Sequence, residues 1–372
     1  MRSRLPFTAA LACATLIGGA LVSPAVLAPL DAQAPARWRL QPVATIEGLA
    51  DDPFGTLRGI ALHADGRLVV TESKPARVSM FDGTGKSLGV VGRTGGGPGE
   101  YRSPYSAVWL ADTLAIYDPG ESRVAFLANG RTPLRTERTV RLTGGPDVRF
   151  FPVSRTRAYL RQSLRVGNRA EGIFVAFGSG KRDTVMQPTQ APVPSGTACR
   201  IKDGITFFSW PEAPMRVAFP VRPDGALAVG NTGRFDIAIQ ARDRTIARVV
   251  REDFVPEPLP DAMWNSGNAD YRKHVGEYGA ASCDATPVRP PHRAPVRAIA
   301  VADNGDLWLA VHGKSGKALN VFSPDGRLRA TLDGLPAAVE SLPFAIAGDR
   351  LAVVEADSDG VQTVRILRIV KQ

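Results

Sequence analysis

The chain has 372 residues and a mass of 39.7 kDa, more than one core supports unless the fold is built of repeats. Hydrophobic residues at 44% and charged residues at 22% exclude a disordered chain, and a mean hydropathy of −0.07 excludes a polytopic membrane protein. The net charge is +10, but its 38 arginines are scattered without a basic run or aromatic-interleaved stripe. Solvated strand faces account for that pattern, and no nucleic-acid partner is expected. Glycine (37) and proline (30) exceed their usual share, which favours short strands joined by turns.

Arg2 and Arg4 precede an apolar, small-residue run at 11–30, and Ala32, Ala34 and Ala36 then offer small residues for cleavage. Residues 1–36 are therefore expected to be a cleaved signal peptide, and the mature protein periplasmic or extracellular with no transmembrane domain. The alternative is an uncleaved anchor; a lipoprotein at Cys13 is disfavoured by Ala10-Leu11-Ala12. Removal of the segment leaves Cys199 and Cys283, an even count that predicts a disulfide in an oxidising compartment.

From residue 58 onward a unit repeats. Arg58 to Leu62, Asp65-Gly66 and Leu68 to Glu72 read as a hairpin, with both turn residues expected at positive φ. Arg77 to Phe81, Asp82-Gly83 and Ser87 to Val91 add two strands. The unit recurs at 106–130, with Arg77 to Arg123 spaced 46 residues apart. A degenerate third copy runs from Phe150 to the turn Gly178-Ser179-Gly180. Further copies lie at 216–240, with Asp224-Gly225 as a turn, at 298–326 and at 344–369. Four strands per period of about 40–50 residues is the pattern of propeller blades. The last copy has three strands, and 38–46 is a spare strand placed to complete it. The fold expected is all-β: a six-bladed β-propeller over 37–372, of four-stranded antiparallel blades closed by an N-terminal strand. A Pro-rich, partly helical insert occupies 254–295, with a helix after an Asn268 cap. Cys199 and Cys283 are expected in irregular segments.

Gly95-Gly-Gly-Pro-Gly-Glu100-Tyr101-Arg-Ser-Pro104, the strand pair after it, and Ser122-Arg123-Val124-Ala125-Phe126 resemble an NHL-type repeat. Arg77-Val78-Ser79-Met80-Phe81-Asp82 is similar to the same third strand one blade earlier. The whole chain resembles exported bacterial six-bladed β-propeller proteins with NHL-like repeats. That family includes binding modules, scaffolds and a few metal-dependent enzymes, so the resemblance speaks to fold more than to activity.

The chemistry is sparse. The Gly-rich stretch lacks the lysine and the helix of a phosphate loop. His63, His274, His292 and His312 lack zinc-site spacing, and neither a metal, a cofactor nor a catalytic residue is assigned. Glu72, Asp118 and Glu355 end second strands and read as turn carboxylates binding backbone N–H groups. Residues just before the innermost strands sit at one channel mouth. They are Arg58, Tyr105, Met215, Arg297 and Pro343, and Arg58, Arg297 and Tyr105 form the candidate ligand site. The function expected is an exported, non-enzymatic binding module, acting as a monomer on a protein, peptide or glycan ligand, possibly an anionic one. The alternative is a divalent-metal-dependent hydrolase or lyase of the gluconolactonase-like or amidating-lyase-like propeller type.

Overall fold

The Asp-Gly and Asn-Gly dipeptides make tight turns of more than one kind. At Asn129-Gly130 both residues take positive φ, at 49° and 73°, whereas at Asp65-Gly66, Asn304-Gly305 and Asp325-Gly326 only the glycine does, at 95°, 83° and 86°. Before Gly66 the aspartate carboxylate holds the turn: Asp65 Oδ1 accepts from the Arg67 N–H at 3.0 Å. Asp82 Oδ1 likewise accepts from the N–H groups of Thr84 and Lys86, at 2.8 and 3.0 Å. These are side-chain-stabilised loops one residue longer than a two-residue hairpin.

A computed structural model describes residues 34–50, 52–138, 149–163, 170–176, 182–186, 196–214, 216–221, 226–241, 245–249, 254–313, 316–333 and 344–371. The segment 1–33, Met215, Asp224-Gly225, Pro343 and the turn Gly178-Ser179-Gly180 lie outside them.

Antiparallel meanders follow one another along the chain. The first comprises Leu57–Leu62, Leu68–Ser73, Ala76–Phe81 and Ser87–Thr94, with the short strand Glu100–Tyr101 added in parallel. Ser106–Leu110, Thr113–Asp118, Arg123–Ala128 and Thr132–Arg138 form the next. The degenerate copy is a complete meander of Arg149–Pro152, Arg157–Ser163, Ala170–Ala176 and Arg182–Met186. Arg216–Pro220, Leu227–Asn231, Asp236–Gln240 and Ile246–Val249 follow, then Val296–Val301, Leu307–Gly313, Gly316–Phe322 and Leu328–Asp333. The last three strands are Phe344–Ala347, Arg350–Ala356 and Gln362–Val370, and the strand Ala36–Ile46 supplies their fourth, antiparallel to Gln362–Val370. At its start the same strand pairs in parallel with Leu328–Asp333, joining two meanders.

The apolar alternation explains this stacking. Leu68, Val70 and Phe81 face Ile46, Ala352, Val354 and Ile366 of the last meander. From the other side of the same sheet, Val69, Val78 and Met80 meet Leu114 and Ile116 of the second. Phe126 and Val124 then face Ala158. Ile237 and Ile239 pack on Leu309 and Phe322, and Leu319 and Val321 on Leu351 and Val353. The first, second, fifth and last meanders are each buried on both sides by their neighbours, as blades of a propeller are. Full burial stabilises by about 1.5–3 kcal/mol per large apolar side chain, which no isolated meander achieves. Gly59 is required by this packing, because a Cβ there would lie 2.9 Å from the Tyr105 carbonyl oxygen of the adjacent first strand.

The Pro-rich insert holds two helices, Asp261–Gly267 and Ala269–Tyr278. Asn268 makes no side-chain cap; its Nδ2 instead donates back to the Trp264 carbonyl at 3.0 Å, joining the two helices. Cys199 is not in an irregular segment but on the strand Gly196–Ile201, paired with Gly204–Ser209. That hairpin's inner face carries Phe208, which packs on Tyr271 and His274 of the second helix. Polar exposure hid it: Ile205 and Phe207 on its outer face are 72% and 61% exposed, so the run does not read as core. The Cys199–Cys283 disulfide is present and ties hairpin to insert.

Candidate functional site

A four-stranded meander returns the chain to the end where it began. The starts of first strands and the ends of second strands therefore share one end of each sheet. Arg58 and Arg297 occupy equivalent positions there. Each is the extra residue of a β-bulge, between Leu57 and Gly59 and between Val296 and Ala298, where the pairing slips by one. Bulges re-aim side chains next to functional sites. Arg58 is exposed, and its Nε donates to Ser73 Oγ at 2.9 Å. Tyr105 lies alongside, its N–H donating to the Tyr117 carbonyl at 2.9 Å and its carbonyl accepting from Thr71 Oγ1 at 3.4 Å.

Arg297 belongs to a chain of charges that the sequence did not disclose. Its Nη1 donates to Glu212 Oε2 at 2.7 Å. The same oxygen accepts from the Ala294 N–H at 3.1 Å, and Glu212 Oε1 lies 3.5 Å from Arg293 Nη2. Arg293 Nη1 donates to Glu257 Oε2 at 3.0 Å, and His312 Nδ1 lies 3.4 Å from that oxygen. Glu212 and His312 are buried, with side chains 6% and 1% exposed, whereas Arg297 and Glu257 reach solvent at 23% and 39%. Among the described residues Arg297 Nε has no hydrogen-bond partner. The backbone of Glu212 is left-handed, with φ 55°, a strained conformation for a non-glycine residue.

The insert builds this cluster. Pro256 bridges Gly313 and Pro258 bridges His292, while the Arg293 N–H donates to the Glu257 carbonyl at 2.8 Å. Two Pro-rich stretches are thus laid across the end of the strand that carries His312. No motif spacing marked these residues, because the partners are 36 to 85 positions apart and meet only through the insert. The Pro clusters flanking 254–295 were the only sequence signal.

The other carboxylates at this end are structural. Asp118 accepts from the N–H groups of Arg102, Ser103 and Gly120 at 2.9–3.1 Å. Glu72 binds Arg77, and Glu355 binds Arg365 at 2.9 Å. The Gly-rich loop is likewise turned on itself. Arg123 donates to the carbonyls of Gly96, Gly97 and Glu100, and the Gly97 N–H donates to Glu100 Oε2 at 3.0 Å. Burial pushes the Tyr101 phenol beside it well above its usual range. Its N–H groups are not arranged for phosphate.

The one group of three metal-ligating side chains among the described residues is Cys199, His274 and Cys283, and its cysteines are joined to each other. The carboxylates near the first-strand starts are already neutralised by arginines or backbone N–H groups. The described residues do not fit a divalent cation at that end.

No protein-family model matches the sequence, and no curated protein matches it. Among solved structures it is similar to virginiamycin B lyase from Staphylococcus aureus, at 13% identity and a TM-score of 0.45, covering 90% of this chain and 100% of that one. It is also similar to a gluconolactonase from Xanthomonas campestris, at 14% identity, TM-score 0.42, covering 89% of each chain. A third is the PQQ-bound aldose sugar dehydrogenase from Streptomyces coelicolor, at 15% identity, TM-score 0.41, covering 90% of this chain and 99% of that one. The expectation of a non-enzymatic binding module is corrected here, because these neighbours are enzymes. At such identities the likeness is one of fold, and the chemistry of this chain must be argued from its own residues.

Proposed function

We propose that this chain is an exported enzyme, a hydrolase or lyase that moves a proton on an anionic substrate. The observation that carries the reading is the chain Arg297–Glu212–Arg293–Glu257–His312, in which Arg297 and Glu257 reach solvent while Glu212, Arg293 and His312 are buried. Buried charge networks with a strained backbone concentrate at functional sites. Glu257 is the proton-transfer group, accepting a proton from water in hydrolysis or from carbon in elimination, steps that share the need for a held carboxylate. His312, with Nδ1 3.4 Å from Glu257 Oε2, positions that carboxylate. The exposed part of the Arg297 guanidinium is offered to a carboxylate or phosphate, while Glu212, itself held by Arg293, keeps the guanidinium in place. Arg58 and Tyr105 are the further contacts proposed on the same rim. The proposed frame is a six-bladed ring over 37–372, with 254–295 as an insert and 1–36 as a cleaved signal peptide. The disulfide supports an oxidising compartment, and no helix of the described residues is long and apolar enough to cross a membrane.

The test is turnover of two panels by the mature protein: carboxylate-bearing lactones and esters followed by acid release, and acidic elimination substrates followed by alkene absorbance. Glu257→Gln is expected to lower kcat at least about 100-fold, and Arg297→Gln to raise KM more than it lowers kcat. Turnover that survives Glu257→Gln, or no turnover on either panel, overturns the reading.

A further inference from the structure

A second chemical cluster lies in the insert, and the proposed reaction does not use it. The Sγ atoms of Cys199 and Cys283 and a ring nitrogen of His274 all lie within 4.8 Å of one another. Three different elements deliver them. Cys199 comes from the strand Gly196–Ile201, His274 from the helix Ala269–Tyr278, and Cys283 from the segment bridged directly opposite Cys199. The imidazole is fixed before any ligand arrives. It stacks on Tyr278 at 4.8 Å and 18°, and tilts against Phe208 at 5.2 Å. Its Nε2 lies 3.1 Å from Ser282 Oγ, which is itself 3.6 Å from Cys283 Sγ. The side chain is buried, and the ring nitrogen nearest the sulfurs lies within 4.8 Å of both.

We propose that this cluster is a redox-gated zinc site: a disulfide when oxidised, and a Cys₂His ligand set when reduced. A dithiol reductant delivers two electrons and two protons to the S–S bond, giving two thiols while the reductant closes to its own disulfide. Zn²⁺ then binds both sulfurs as thiolates and the neutral imidazole, and two protons are released. Zinc holds sulfur at about 2.3 Å and nitrogen at about 2.0–2.1 Å. Tetrahedral ligand atoms therefore stand about 3.4–3.8 Å apart, within the span these three atoms already occupy. Water fills the fourth position. The hairpin and the segment carrying Cys283 stay cross-linked in both states, and the metal-bound state adds the second helix through His274.

The experiment uses the mature protein reduced on an immobilised phosphine, which takes its oxygen from water and is removed before metal is added. Reduced protein is expected to retain one Zn²⁺ per chain through gel filtration, with two protons released on binding, and oxidised protein to retain none. His274→Ala is expected to weaken binding at least tenfold in competition with a chromophoric chelator, and Cys199→Ser/Cys283→Ser to abolish it. Co²⁺ in the reduced wild type reports the ligand set without any variant, through sulfur-to-cobalt charge transfer and tetrahedral d–d bands. Zinc retention no greater than in the double serine variant, wild-type affinity in His274→Ala, or a Co²⁺ spectrum lacking sulfur charge transfer overturns the proposal.

Discussion

Glu72 stands directly opposite Arg77 across two neighbouring strands, and both of its carboxylate oxygens are taken by that guanidinium, at 2.7 and 3.0 Å. The Gly55 N–H adds a third bond at 2.9 Å. The side chains are 0% and 8% exposed. Asp118 opposite Arg123 repeats the arrangement one meander later. In these two meanders the arginine near the start of the third strand therefore stands opposite the carboxylate near the end of the second. The hydrogen bonds from Glu72 hold the Arg77 guanidinium above its ordinary value despite burial.

Removing one partner strands the other. Glu72→Gln is expected to cost about 3 kcal/mol, because a buried arginine loses its buried counter-charge and keeps only the exposed Asp52 carboxylate. The double change Glu72→Leu/Arg77→Met should recover much of that loss. Urea midpoints with unchanged slopes measure both, and an unshifted midpoint for Glu72→Gln would show that the pair contributes nothing.

Tyr101 separates ring from hydroxyl. It is 1% exposed, and its phenolic oxygen has no hydrogen-bond partner among the described residues. A Cβ on Gly92 would lie 2.0 Å from its ring, and the Arg123 guanidinium sits 5.7 Å from the ring centre. Tyr101→Phe is expected to change stability by less than about 1 kcal/mol, since no hydrogen bond is lost. Tyr101→Ala should cost about 3–5 kcal/mol through the cavity. Thermal denaturation distinguishes the two, and a Phe variant as unstable as the Ala variant would contradict the packing described.

Acid should weaken the turns first. Asp82 is held below its ordinary value of 3.8, chiefly by the Thr84 hydroxyl, and Asp325 chiefly by the Ser323 hydroxyl. A carboxylate depressed by folding adds stability above its unfolded value and loses it as pH falls through the folded one. The Tm is therefore expected to be flat from about pH 5 to 8 and to fall below about pH 4. Asp82→Asn should lower the Tm at neutral pH and flatten part of the acid slope. An acid slope identical to wild type would remove Asp82 from the account.

The seam offers a larger test. Deleting residues 38–46 strips Gln362–Val370 of the partner that runs from Arg39↔Val370 to Ile46↔Val364. Aggregation or loss of a single cooperative transition is expected, since the exposed edge is an open template. A monomeric truncation with an unchanged Tm would show that the edge needs no cover.

The meanders were legible because their turns, β-branched strands and Arg-Val-x-Phe third strands are local signals. The closing strand was legible from a count that came out one strand short in the last copy. The hairpin at 196–209 was not, because its outer face is exposed and its inner face packs on a helix only 60 to 70 positions away in sequence. Glu212, Glu257, Arg293 and His312 were invisible for a related reason. Each looks like a solvated or turn residue until the insert folds across the strand ends, and it is long-range pairing that makes them a site. Arg58 and Arg297 were found by aligning copies, but the bulge that gives each its extra position leaves no mark in composition.

The strand Ala36–Ile46 also sets a timetable. Arg39 pairs with Val370, so the first strand of the sheet to be synthesised is among the last to find its place. Contacts of such sequence separation carry a high loop-closure cost and slow folding. During synthesis the segment waits as a free edge while the intervening meanders form, and only the arrival of the strand Gln362–Val370 ends that wait. A chain cut short by a few residues at its end thus fails at its beginning.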